Sequence, residues 1–209
     1  MSDGYFVPQR EAESEFTEKR SRFIGHVCFA EDEASARGYI DAIRKRYYDA
    51  RHNCWCYVIH EGAVRYGDDG EPQGTAGQPM LNVFQREGVE NAVCVVTRYF
   101  GGVLLGAGGL TRAYARAAKD ALDQSGKARL VRWARMSAAV PYPIFEQFSR
   151  LAAMHGGVVE GNEYGADVTA TLRMEWERAN RFCEAVRELS GGAVAPDELG
   201  TVFLPAAEG

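Results

Sequence analysis

The chain has 209 residues, 46% of them hydrophobic and 25% charged, with a formal net charge of −5 at pH 7. That length accommodates one large domain or two modest ones, each able to bury its own core, and no apolar run approaches the roughly 20 residues a membrane helix needs. The stretch from Met1 to Lys19 is acidic and polar without the apolar core of a signal peptide, and five irregularly spaced cysteines suit a reducing compartment. A cytoplasmic protein with no membrane partner is expected.

The acidic balance argues against a general nucleic-acid binder, which usually carries a basic excess. Dividing the chain near Gly126 uncovers no hidden basic half, since the two parts carry −3 and −2. Local basic clusters exist, Arg44, Lys45, Arg46 and Arg51, then Lys127, Arg129, Arg132 and Arg135. Each reads as a solvated face.

In chain order, residues 23–29 are apolar and β-rich. Asp32 can cap a helix whose inward stripe is Ala36, Tyr39, Ile40, Ile43 and Tyr47. Residues 52–60 read as a strand with Trp55, Tyr57 and Ile59 on one face and Cys54, Cys56 and Val58 on the other. Residues 67–72 carry turn chemistry, and residues 75–84 suggest a short helix containing Pro79. Residues 92–97 form the continuous apolar run of a buried central strand. A glycine-rich loop follows, then a helix with the stripe Leu110, Tyr114, Ala117, Ala118 and Ala121, ended by Gly126.

The second half changes grammar. Residues 130–140 are strand-like, punctuated by Pro141 and Pro143. A helix with Phe145, Phe148, Leu151 and Ala152 inward stops at Gly156-Gly157. Two β segments, 158–160 and 166–174, are expected to join through Gly161-Asn162. A helix with Ala179, Phe182, Cys183, Val186 and Leu189 inward stops at Gly191-Gly192, and residues 202–204 can supply a last strand. The order β-α-β-β-α-β is that of a ferredoxin-like sandwich. The expected fold class is α+β in two domains, residues 1–129 and 130–209.

The chemistry concentrates in Arg98-Tyr99-Phe100-Gly101-Gly102-Val103-Leu104-Leu105-Gly106-Ala107-Gly108-Gly109-Leu110-Thr111-Arg112, with five glycines in nine positions. Glycine loses more backbone entropy on folding than any other residue, so such a density needs either tight turning or close approach to a ligand. The loop opens a helix starting near Gly108 or Gly109. Helix N-termini expose unpaired N–H groups and partial positive charge, a ready anion site. Thr111 and Arg112 can add a hydroxyl and a cation, and the planar fork of Arg98 suits phosphate or carboxylate. The bland alternative is that the glycines only permit tight packing.

No Gly-Lys-Ser/Thr makes this a Walker loop, and the dinucleotide fingerprint is incomplete. A faint likeness of residues 106–111 to the glycine loop of small-metabolite kinases meets a chain short for such an enzyme. Asp68, Asp69 and Glu71 could hold Mg²⁺ through waters or simply form an exposed turn. Gly74 and Thr75 open a possible second backbone nest with Ala76 and Gly77. If that nest faces Arg98, the two make one groove. His52, Cys54 and Cys56 share a strand face, but a zinc site usually wants about four ligands and no nearby fourth is evident. Buried structural cysteines are favoured, and no metal or cofactor is expected.

Several blocks together resemble the Impact family in its two-domain bacterial form: Ser21-Arg22-Phe23-Ile24, Ala50-Arg51-His52-Asn53-Cys54, Asp68-Asp69-Gly70-Glu71-Pro72 with residues 74–80, and residues 98–109. The resemblance covers nearly the whole chain. It implies a first domain similar to domain IV of the translocation elongation factor and a second similar to that factor's domain V. The eukaryotic relatives are translational regulators that restrain activation of an initiation-factor kinase during amino-acid starvation, partly through an extra N-terminal interaction domain. That partner is not carried over to this sequence.

The expected function is therefore a non-catalytic, translation-associated regulator that contacts the ribosome, ribosomal RNA, tRNA or a translation factor. Its groove would be formed by Arg98 to Arg112 and Asp68 to Gly77, with His52 a further candidate contact and Tyr99 stacking on a base if exposed. The alternatives are an enzyme or regulator holding a small phosphate-bearing ligand in the same loop, and a protein–protein module.

Overall fold

The computed structural model describes residues 4–206. They form two compact units, Tyr5–Ala128 and a second made of residues 129–206 with Gly4. Residues 1–3 and 207–209, the outer ends of the two expected domains, lie outside the described residues.

The first unit runs β1 (Gly4–Pro8), β2 (Ala12–Glu18), β3 (Ser21–Phe29), α1 (Glu33–Arg46), β4 (His52–Val58), β5 (Val64–Gly67), α2 (Gly77–Arg86), β6 (Ala92–Tyr99) and α3 (Ala107–Ser125). Its sheet is antiparallel throughout, in the order β2-β3-β6-β4-β5. Strand β6 lies at the centre, buried on both faces as its apolar run requires. Alternation along the strand then divides the unit. Ala92, Cys94 and Val96 pack under α2 and α3, while Val93 and Val95 pack under α1.

Helix α1 begins where the sequence places its cap. Ser35 N–H donates to Asp32 Oδ1 at 2.7 Å, and Asp32 N–H donates to Ser35 Oγ at 3.2 Å, satisfying two orphan donors reciprocally. Its buried residues Ala36, Ile40 and Ile43 lie on the expected stripe. Helix α2 starts two residues later than residue 75, so Pro79 occupies its first turn, where a missing N–H removes no helical bond. The small residues of α3 let it lie almost on the sheet, since a Cβ on Gly25 would overlap the carbonyl of Ala117.

Strands β1, β2 and β5 have no counterpart in the sequence reading. Strand β2 half-buries Ala12, Ser14 and Phe16 and exposes Glu13, Glu15 and Glu18. Charged side chains along an edge strand blunt it against unwanted pairing, and they also mask its pattern.

The second unit contains β7 (Lys127–Val140), α4 (Tyr142–Met154), β8 (Val158–Tyr164), β9 (Val168–Glu175), α5 (Trp176–Leu189) and β10 (Asp197–Pro205). Pairing in the order β10-β7-β9-β8, antiparallel at each step, gives the ferredoxin-like sheet. Its helix-facing side buries Ala134, Met136, Ala138 and Val140 against Phe148, Phe182 and Val186.

The expected turn at Gly161-Asn162 is corrected. Strand β8 continues through both residues to Tyr164 with a register shift between Val159 and Gly161, and the reversal comes at residues 165–167. All seven β8 residues are exposed, so no apolar alternation marks the strand, and its bulge looks like a turn in sequence.

Candidate functional site

The side chains expected to make a groove divide between the two sheet faces. At the end of β6, Arg98 turns toward α3 and Tyr99 toward the opposite face, where its hydroxyl donates to Asp49 Oδ1 at 2.8 Å. Tyr99 therefore does not share a surface with Arg98, because consecutive strand residues point to opposite sides.

Arg98 is 4% exposed. Its Nη1 donates to Glu71 Oε1 at 2.6 Å and its Nη2 to Ser21 Oγ at 3.3 Å. The Tyr114 hydroxyl donates to the same Glu71 oxygen at 2.8 Å. His52 lies beside Arg98 in register across β4 and β6. Its Nδ1 is 2.7 Å from the carbonyl oxygen of Asp69. A carbonyl only accepts, so Nδ1 carries the proton and Nε2 is left 3.9 Å from Glu71 Oε1. Arg98 Nε has no hydrogen-bond partner among the described residues.

These groups line a cavity of about 360 Å³. Arg51, His52, Glu71 and Arg98 supply its polar part, and Pro72, Phe100, Leu104, Leu105 and Leu110 its apolar walls. The Phe100 ring lies 5.7 Å from the Arg51 guanidinium and 5.5 Å from that of Arg98, so both cations rest against one aromatic surface. Gly106 and Ala107, the start of α3, complete the wall, and among the described residues no side chain caps this helix. Its first-turn N–H groups are thus available to a ligand.

The N-terminus of α2 contrasts with this. Asp68 accepts from Gly74 N–H at 2.7 Å, Ala76 N–H at 3.1 Å and Gly77 N–H at 2.8 Å. The second nest foreseen around Gly74 and Thr75 is filled by the protein's own carboxylate, and Thr75 Oγ1 donates to the Pro72 carbonyl. Asp69 accepts from Asn53 N–H at 2.7 Å and pairs with Arg44 at 3.2 Å. The three acidic side chains consequently hold the 68–77 loop together, each on different partners. No cluster of His, Cys, Asp and Glu among the described residues is arranged to hold a metal. Cys54 Sγ donates to the Asp68 carbonyl at 3.0 Å, and burial pushes its thiol pKa well up, leaving it unreactive.

Thr111 and Arg112 lie off the cavity. Thr111 Oγ1 donates back to the Ala107 carbonyl at 3.1 Å. Arg112 lines a separate hollow of about 170 Å³ with Glu18, Lys19, Arg116, Phe16 and Gly109. Leu105 borders both spaces.

Of the five loop glycines, Gly101 is required by close approach, since a Cβ there would overlap the Arg20 carbonyl at the β2–β3 turn. Gly106 is required by conformation, with φ 73° and ψ 164°. Gly102 is likewise required by conformation, with φ 82°, Gly108 is exposed, and Gly109 is half-buried against Leu105.

Sequence reasoning missed Arg51, which it assigned to a solvated cluster. That cluster divides: Arg44 pairs with Asp69, Arg46 pairs with Glu13 at 3.1 Å, and Arg51 enters the cavity wall. The usable signal was its adjacency to His52, at the head of a strand that pairs with β6. In the second basic cluster, Lys127 pairs with Glu87, Arg135 pairs with Glu160, both at 2.6 Å, and Arg132 stacks on Trp176.

Comparison with known proteins places these residues in a family. Residues 19–122 match the Impact N-terminal domain, and residues 139–193 match a domain of unknown function, DUF1949. The IMPACT family member YvyE of Bacillus subtilis is 34% identical over 194 residues, covering 92% of this chain and 89% of that protein. YigZ of Escherichia coli, another IMPACT family member, is 30% identical over 180 residues, with 84% and 88% covered. The IMPACT homolog of Dictyostelium discoideum is 33% identical over 96 residues, 43% of this chain and 27% of that protein. A crystal structure of a hypothetical protein superposes with a TM-score of 0.63 at 27% identity over the full length of both chains. The chain belongs to the IMPACT family.

Proposed function

We propose that this protein is a non-catalytic regulator acting in translation in the cytoplasm, and that its first unit binds RNA of the ribosome or tRNA through the cavity at the start of α3. One observation carries the reading. An uncapped 19-residue helix opens on a cavity holding Arg51, His52 and a buried Arg98 whose Nε lacks a partner. Oriented N–H groups, the helix dipole and the guanidinium fork of Arg51 all favour a phosphate there, beside an Arg98 whose fork is held by Glu71 and Ser21. The acidic whole is no obstacle, because the nearby carboxylates are already engaged: Asp68 by backbone, Asp69 by Arg44, Glu71 by Arg98 and Tyr114. Local charge, rather than net charge, steers a phosphate to the site. Family membership supports the translational context.

The volume of this half-open cavity, about 360 Å³, favours a second reading, a small phosphate-bearing ligand, since small-molecule pockets begin near ~300 Å³. Sedimentation of the tagged protein with ribosomes separates the two. The RNA reading expects co-sedimentation that weakens with salt, is abolished by nuclease, and drops several-fold in Arg51→Ala. Absence of ribosome and RNA binding, with a thermal shift from one phosphorylated compound, supports the second reading instead.

A further inference from the structure

We infer that the RNA taken by the first unit is single-stranded, with one unstacked nucleotide entering the larger cavity and the adjoining phosphates running over Leu105 into the smaller hollow. The inference rests on the RNA reading above and specifies its ligand.

Three observations converge on it. First, the cavity is mixed in chemistry. Its lining combines Arg51, Arg98 and the first turn of α3 with the apolar Pro72, Leu104 and Leu110. A purely electrostatic backbone binder has no use for such apolar walls. A phosphate joined to a flat base uses both. In a duplex the bases are stacked and paired, so only an unpaired strand delivers one into a half-open cavity without melting a helix.

Second, the loop between β6 and α3 holds large apolar side chains in solvent. Leu104 is 83% exposed, Phe100 40% and Val103 39%. Leu104 stands at the cavity wall and gains contact only when something fills that space. Stacking of a base on such a wall tolerates any sequence, because every base presents a flat face.

Third, a second, separate hollow borders the first. It shares Leu105 and is lined by three cations, Lys19, Arg112 and Arg116, against the single carboxylate of Glu18. Lys19 and Arg112 form no ion pair among the described residues, as Arg51 forms none in the larger cavity. Arg116 is partly committed, pairing with Asp120 at 3.3 Å and lying over the Phe16 ring. The hollow, about 170 Å³, is less than half the volume of the cavity and suits a phosphate. On α3, Gly109, Arg112 and Arg116 fall at helical spacing along one stripe, so these cations track a backbone rather than meet at a point.

Fluorescence anisotropy of the full-length protein tests this with a short labelled oligoribonucleotide, the same strand annealed to its complement, and a free nucleoside monophosphate as competitor. We expect the single strand to bind about tenfold or more tightly than the duplex. Leu104→Asp, at an exposed position that leaves packing intact, should weaken the single strand by about fivefold or more. Arg112→Ala should lower the salt slope by about one unit. Equal or tighter duplex binding, or unchanged affinity in Leu104→Asp alongside loss in Arg112→Ala, overturns the single-strand inference and leaves RNA binding standing. Absence of binding to either RNA, with or without mononucleotide binding, overturns both.

Discussion

Arg98 Nη1 lies 2.6 Å from Glu71 Oε1, with only 5% and 4% of the two side chains exposed. The pair joins the end of β6 to the 68–77 loop and stands in the cavity wall, so it has a structural and a binding role at once. Removing one partner of a buried pair leaves an uncompensated charge. Arg98→Ala should therefore cost about 3–5 kcal/mol in stability. Arg98→Met with Glu71→Leu removes both charges and should recover most of that loss while still failing to bind RNA. Denaturant titration alongside RNA binding checks both halves. Retained RNA affinity in the stable double variant contradicts a binding role for Arg98.

The loop glycines should respond unequally to alanine. Gly106→Ala forces φ near +73° with an extended ψ and should cost about 1–3 kcal/mol. Gly101→Ala collides with the Arg20 backbone and should cost at least as much while displacing the loop. Gly108 meets nothing closer than Arg112 Nη1 at 3.5 Å, and alanine there should stabilise the helix by up to about 1 kcal/mol. Thermal melts of the three variants give the order. Equal losses would contradict the assignment of separate roles.

Asp68 fills the N-terminus of α2 through three backbone donors. Asp68→Ala should destabilise the protein by about 1–3 kcal/mol, since the N–H groups of the buried Ala76 and Gly77 are left without acceptors. Denaturant titration reads the loss, and a change under about 0.5 kcal/mol would contradict the capping role.

His26 makes stability fall in mild acid. Burial lowers its pKa from 6.5 to about 4, outweighing the upward pull of Glu13. The ring that approaches Glu13 at 3.3 Å is therefore neutral, and the contact is not an ion pair. The folded state resists protonation until about pH 4, whereas the unfolded chain takes up a proton below about 6.5. The neutral ring's contribution is complete above 6.5, declines as pH falls from 6.5 to about 4, and amounts to about 3 kcal/mol in total. Hydrogen exchange at β3 amides, compared with His26→Phe, isolates it. A wild-type profile parallel to that of the variant contradicts the assignment.

The residues explain what sequence could and could not reveal. Asp32, the α3 stripe and the run 92–97 each carry a local signal matched to one element, and each element forms there. Strand β8 has no such signal, because all its residues are exposed and its register is set by β9. At the site, the chemistry of Arg98 and the glycines was legible. Which faces meet was not. Alternation sends Tyr99 away from Arg98, Thr111 and Arg112 leave the cavity by helical rotation, and Arg51 joins it only because β4 lies beside β6.

The central claim is that the first turn of α3 and the cavity beside it hold phosphate. Heteronuclear NMR of the full chain during titration with a short single-stranded oligoribonucleotide tests it residue by residue. The account predicts the largest shifts at the amides of Ala107, Gly108 and Gly109 and at Arg98 Nε–H, with none at the Asp68-filled amides of Ala76 and Gly77. Shifts confined to the second unit, or their absence at the start of α3 under saturating RNA, would contradict it.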